Sequence, residues 1–321
     1  MKRRTFLRNS LGAAAMSGTL SCGARDKKRL RILSWADYFA PAKLEEFSRV
    51  HQCVVELKTF SSNEQLHGWL SEGKRADVLV PSSYMKQILA SEGMLARFDS
   101  AGARVESVPY LRGISGLSWI GDQHPEGPCS WSWIMKSSQG RITLLDDMRE
   151  TIGAALKFLG HSGNSNIESE IRSAAALVQE WKQRLAAFES EYYKLGLVAG
   201  EYDMSHAYSG DIFQAFRKNP SLRFGVPSEG AMTSTDEFCI DARSEHQELA
   251  AEFIRYQTTP DSIAAHAAHT GYQVAKDGEG ITTPHGIDPI DARALAKSEE
   301  ILALGDSQRL WHELWREIRR N

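Results

Sequence analysis

Cysteine is scarce in this chain: four in 321 residues, at 22, 53, 129 and 239, with no Cys-x-x-Cys spacing. That excludes a complete disulfide framework and a thiolate zinc site as organising features. One bridge is not deducible from the spacing, and Cys53, Cys129 and Cys239 read mostly as small core residues. The ten histidines show no zinc spacing either. His266 and His269, one turn apart on an alanine-rich helix, read as packing or surface residues. An excess of basic charge is also missing: 38 Lys and Arg stand against 41 Asp and Glu, so no positive field points to nucleic acid. Gly-x-Ser-x-Gly, His-Glu-x-x-His, a P-loop and a dinucleotide fingerprint are all absent, which argues against an enzyme and implies no cofactor or metal. No internal repeat or low-complexity tract occurs. What is present is ordinary globular material, 42% hydrophobic and 25% charged, enough for two domains or one large one.

The first 22 residues read as an export signal. Lys2-Arg3-Arg4-Thr5-Phe6-Leu7-Arg8 looks like a twin-arginine motif, and a weakly apolar run follows from Leu11 to Leu20. That run is too short to remain as a spanning helix, and no later segment reaches the roughly 18 apolar residues required. The expected location is therefore the periplasm. Thr19-Leu20-Ser21-Cys22-Gly23 resembles a lipoprotein processing site in which Cys22 would be acylated, although Thr19 stands where such sites usually carry Leu. Free export and lipid anchoring both stay open, and no other membrane contact is expected.

From residue 29 the pattern is strand then helix, repeated. Leu30 to Leu33, Cys53 to Phe60 and Asp77 to Val80 read as strands, each followed by an amphipathic helix. Pro41 suits a first helical turn, and Ser62 with Gln65 has capping-box spacing. The pattern restarts near residue 140, with a strand Ile142 to Leu145, a long helical region over roughly 167–195, and a strand Met204 to Tyr208. Two helices are expected between 290 and 320. Alternation of this kind predicts two α/β units, each a mainly parallel sheet flanked by helices, joined by crossings near 112–118 and 230–236.

In open α/β sheets, ligands bind beyond the carboxyl ends of the strands. The residues there are Trp35, Asp37 and Tyr38, then Ser82 and Tyr84, then Asp147 and Glu150, then Tyr208 to Asp211, with Asp236 at the second crossing. Aromatics and carboxylates dominate, and no glycine-rich phosphate loop is among them. An alkyl ammonium wants that combination. Its stem packs on aromatic faces, which also attract the cation by roughly 0.5–2 kcal/mol each. Its nitrogens, once desolvated, need carboxylates. The bland alternative is that the aromatics close the core and Ser82 caps a helix. Asp147 and Glu150, three apart at a helix start, equally fit a capping box.

At these residues the chain resembles the periplasmic spermidine/putrescine-binding proteins, the solute receptors of polyamine ABC transporters. The resemblance runs from about 29 to 320. It rests on Leu33-Ser34-Trp35-Ala36-Asp37-Tyr38, on Ala76 to Tyr84, on Glu92-Gly93-Met94-Leu95 and on Leu145 to Asn164. Ser107-Val108-Pro109-Tyr110, Ser130-Trp131, Gly200-Glu201, Pro227-Ser228-Glu229-Gly230 and Thr270-Gly271-Tyr272 add later landmarks. It implies a two-lobed periplasmic binding protein fold of type II, with 29–112 and 236–285 in one lobe and 117–232 and 288–321 in the other. It implies a monomer that closes on a polyamine and is read by permease subunits. Trp35, Tyr38, Tyr84 and Tyr272 would supply aromatic contacts, with Ser82 beside them. Asp37, the Asp147–Glu150 pair and Asp236 would face the amines. Tyr208 stands where the family usually has Trp, and Ser234 replaces a second Trp, so the aromatic box is thinned while the acids are kept. Two other readings remain at this stage. A ferric-iron receptor would use the adjacent Tyr192 and Tyr193, and a sensory lipoprotein would report polyamine to a membrane partner.

Overall fold

The computed structural model describes residues 28–121, 124–137, 141–275, 287 and 289–320, so the twin-arginine motif and Cys22 lie outside the described residues. The chain is an α/β protein in which twelve strands form one large mixed sheet with helices packed on it, and Phe98–Ser100 with Ala103–Val105 makes a separate hairpin. Arg29–Ser34 runs parallel to both Val54–Thr59 and Val78–Leu79 at one end. At the other end Met204–Tyr208 runs parallel to Ile142–Leu144, which runs parallel to Ala187–Phe188.

Two long strands connect these parallel parts. Ser107–Ile120 pairs antiparallel with Met232–Asp241 through its first half and with Met204–Tyr208 through its second. One continuous 14-residue strand therefore enters both lobes. The crossings are sheet, not loop, which makes the whole sheet mixed while each lobe keeps its parallel strands. Among the described residues no helix is long and apolar enough to cross a membrane.

The apolar residues separate accordingly. Leu30, Ile32, Phe47, Val78, Tyr110, Phe238 and Phe253 form part of one fully buried core, with a neighbouring cluster around Leu66 and Leu79. Trp131, Ile142, Leu144, Ile152, Trp181, Leu197, Ile212 and Trp311 belong to another.

Local signals were followed where nothing competed with them. Pro41 starts the helix Pro41–Val50, and Ser62 caps Asn63–Ser71 by accepting from the Gln65 N–H at 3.1 Å. The Gln65 side chain returns to the Ser61 N–H at 2.9 Å, one residue short of a closed capping box. The long helix expected over 167–195 is not continuous. Glu168–Lys182 is helical, Ala187–Phe188 is a strand, and Tyr193–Ala199 is a second helix. The Ala186 N–H donates to the Ile142 carbonyl at 2.8 Å and the Glu189 N–H to the Leu144 carbonyl at 2.8 Å, so the open sheet edge captures a segment of high helix propensity.

His266 is fully buried, accepting the Ala40 N–H on Nδ1 at 3.0 Å and meeting Gln257 through Nε2 at 2.8 Å. It is a packing residue. Cys53 and Cys239 are buried and Cys129 is half-buried.

Candidate functional site

The strand Ile142–Leu144 delivers Asp147 to the start of the helix Met148–Phe158. Asp147 is extended at φ −135°, and its Oδ1 accepts from the N–H groups of Arg149 at 2.8 Å and Glu150 at 3.1 Å. This is an N-cap. The reciprocal half of a capping box is not made: Glu150, 2% exposed, leaves its Oε2 without a hydrogen-bond partner among the described residues. A fully buried helix bearing two adjacent charged residues, one with an orphaned carboxylate oxygen, is a costly arrangement for packing alone. Burial pushes the Asp147 carboxyl up to about 7, with the nearby Glu64 adding to it against the two backbone N–H groups. Burial and the charge of Asp147 push Glu150 up to about 8.

Asp236 comes from the other side. The pairing of Met232–Asp241 with Ser107–Ile120 slips between Thr235 and Glu237, where Tyr110 and Leu111 of the partner strand stand opposite the single residue Asp236, a β-bulge of the kind that re-aims side chains. Asp236 bridges instead to Ser82. The Ser82 hydroxyl donates to Asp236 Oδ1 at 2.6 Å, and the Tyr38 hydroxyl donates to Oδ2. Asn63 holds Ser82 in turn, Nδ2 donating to its hydroxyl at 3.1 Å. Both donors to Asp236 are neutral. Burial outweighs them and pushes this carboxyl up to about 6.

Aromatic rings fill the space between. Tyr38 packs edge-on against Tyr272 at 5.3 Å and Tyr110 at 5.5 Å, and Trp35 against Phe60 at 4.5 Å. Tyr272 lies over Gly210, where an added Cβ would stand 2.3 Å from the ring. Gly210→Ala is therefore expected to displace Tyr272 and destabilise the protein by about 1–3 kcal/mol. A thermal melt that matches the wild type would refute it. Tyr208 ends its strand, its N–H donating to the Tyr193 hydroxyl at 3.1 Å. Tyr84 differs from expectation in one respect. The Arg149 guanidinium sits 5.3 Å over its ring, and its hydroxyl donates to Glu64 at 3.1 Å. Asp37 is exposed, in a left-handed conformation at φ 52°, and pairs with Lys194 of the facing lobe at 3.1 Å.

The structure brings Trp35, Asp37, Tyr38, Ser82, Tyr84, Asp147, Glu150, Tyr208, Asp236 and Tyr272 to one cavity of about 120 Å³. One water needs only about 10–15 Å³, so the lobes meet around a ligand-sized space. Arg149, Lys194 and Asp211 also line it; the sequence placed Asp211 among the strand-end residues without giving it a role, and did not single out Arg149 or Lys194. Arg149 was legible as the residue between Asp147 and Glu150, and Asp211 as the acid closing a strand-end segment. Nothing local marks Lys194. The tyrosine pair diverges: Tyr193 is fully buried and donates to Asp211 at 2.7 Å, whereas Tyr192 is 42% exposed and donates to Glu201 at 3.0 Å. Two hydroxyls committed apart from each other do not form an iron site.

A buried, acid-lined cavity between two lobes of this topology invites comparison with known receptors. The sequence profile of the bacterial extracellular solute-binding proteins matches residues 55–277, more than half the chain. The chain belongs to that family. Among relatives of this solute-binding protein, the spermidine/putrescine-binding periplasmic protein of Salmonella typhimurium is 26% identical, over 98% of this chain and 99% of its own length. The putrescine/cadaverine-binding protein of Pseudomonas aeruginosa is 29% identical, over 77% of this chain and 78% of its own. The solved structure of the Tp0655 lipoprotein of Treponema pallidum superposes with a TM-score of 0.78 at 23% identity, covering 92% of this chain and all of that one. The fold is that of the type II periplasmic binding proteins.

Proposed function

We propose that this solute-binding protein captures a polyamine, putrescine or spermidine, between its lobes and presents it to the permease subunits of an ABC transporter. The observation that carries the reading is the orphaned Glu150 Oε2 beside Asp147, facing a cavity whose opposite lobe supplies Asp236. Buried carboxylates without cationic partners are unstable arrangements. A ligand ammonium at each would complete them, and the rings of Trp35, Tyr38, Tyr208 and Tyr272 would cover its alkyl stem. The names of the relatives agree with that chemistry.

In this reading residues 29–112 with 236–285 and 117–232 with 288–321 are the two lobes, and ligand shifts the population toward the closed form that a permease recognises. In this reading the protein works as a monomer in the periplasm, and acylation of Cys22 would anchor it to the membrane. Calorimetric titration with putrescine, cadaverine and spermidine at pH 8 is the test. Saturable binding of at least one is expected. No heat from any of the three would end the polyamine reading.

A further inference from the structure

Six carboxylates line the cavity, from Asp37, Asp147, Glu150, Glu191, Asp211 and Asp236, together with two cations, Arg149 and Lys194. Arg149 is tied outward. Its guanidinium donates to the Leu302 carbonyl at 2.6 Å and to Asn164 Oδ1 at 2.8 Å, and lies between the rings of Tyr84 and Trp311. Lys194 points inward. It stands in the first turn of Tyr193–Ala199, its side chain only 13% exposed, and its Nζ lies 3.1 Å from Asp37 Oδ2 across the cleft. Asp211 Oδ1 is 3.7 Å and Gln214 Oε1 3.3 Å from the same nitrogen. Asp37 meets it from a left-handed backbone conformation at φ 52°, one that Asp adopts more readily than most non-glycine residues.

Glu191 is exposed at the rim, and the other five acids of the cleft fall into three groups with different needs. Asp236 receives only neutral hydroxyls. Asp147 and Glu150, with Glu64 adjoining, outnumber the one guanidinium near them and leave an oxygen unpartnered. Asp37 and Asp211 share Lys194, whose Nζ lies within 4 Å of both and offsets one of their two charges. A ligand ammonium placed there would meet a like charge, a juxtaposition that costs several kcal/mol. A ligand carboxylate gains little from Lys194 either, because two carboxylates already hold it.

We propose that Lys194 is a specificity-determining residue, a built-in ammonium that fills one acidic group of the cleft and leaves two for the ligand, so that linear diamines are selected over triamines. The inference rests on the polyamine reading and narrows it. The Asp37–Lys194 pair also joins the lobes, so the cation that excludes a third nitrogen is held in place by closure itself.

The experiment is calorimetric titration of putrescine and spermidine into wild type, Lys194→Met, Lys194→Gln and Lys194→Arg, with thermal melts to confirm folding. Wild type is expected to favour putrescine by about tenfold or more, equivalent to about 1.4 kcal/mol. Lys194→Met and Lys194→Gln are expected to shift that ratio toward spermidine by about tenfold, and Lys194→Arg to keep the diamine preference. Spermidine binding as tightly as putrescine to wild type overturns the inference, and that measurement needs no variant. So does a ratio unmoved in both neutral variants. Either result leaves polyamine binding intact, whereas no binding of either amine to any of the four proteins removes both readings together.

Discussion

Asp236→Asn is expected to weaken polyamine binding by at least about 30-fold, the lower end of the loss when one member of a buried charge pair is removed, about 2–5 kcal/mol. In the protein Asp236 collects two hydroxyl donors, from Tyr38 and Ser82, so every hydrogen bond to it supports the ionised form. An amide keeps the shape and loses the charge. One hydroxyl would then face an N–H donor and must turn to accept from it, which Ser82 and Tyr38 can do. Because a neutral side chain is cheaper to bury than a carboxylate, the unliganded variant is expected to melt no lower than wild type. Tyr38→Phe should cost less, about tenfold, since it removes one neutral donor and leaves the charge. Titration of both variants by calorimetry decides the matter. An Asp236→Asn affinity within threefold of wild type would mean that this carboxylate does not face an ammonium.

The second large effect is on pH. Among the described residues no histidine lines the cavity, so titration there between pH 6 and 8 belongs to the carboxyls, with Asp236 pushed up to about 6, Asp147 to about 7 and Glu150 to about 8 by burial. A cationic ligand binds their ionised forms. Below those values protons occupy the site, and binding must displace them at about tenfold in affinity per pH unit for each proton. Affinity is expected to be at least about tenfold weaker at pH 6 than at pH 8, with protons released on binding near pH 7. Calorimetry in two buffers of different ionisation enthalpy measures that release. The unliganded protein should show the opposite trend in stability. Carboxyls whose folded pKa lies above the unfolded value, near 4, hold extra protons in the folded state, so stability is fully present below about pH 4 and falls as pH rises toward 8. Added polyamine should restore the loss at pH 8. An affinity that does not change between pH 6 and 8 would show that these carboxyls are not the ligand's partners.

Much of the fold was legible because its signals are local. Proline at position 41, the serine cap at 62 and the alternation through Leu30 to Leu33 each act within a few residues of themselves, and each element formed where its signal stands. The break of the long helical region was not legible, because Ala186 and Glu189 are drawn off by carbonyls of a strand more than forty residues away. The candidate site divides in the same manner. Asp147 announces itself by its place between a strand and a helix. Asp236 does not: its aim depends on a bulge that exists only once two strands distant in sequence have paired.

By itself the sequence determined which elements form, which residues end the strands, and that those ends carry acids and rings instead of a phosphate loop. These follow from side-chain chemistry and spacing along one chain. Only the tertiary structure decided that Asp147 is a cap and Glu150 is not, that Arg149 covers Tyr84, and that Lys194 pairs with Asp37 from the facing lobe. Whether a charge is free or already paired depends on what stands within a few ångströms of it. In a two-lobed protein those neighbours come from far apart in the chain.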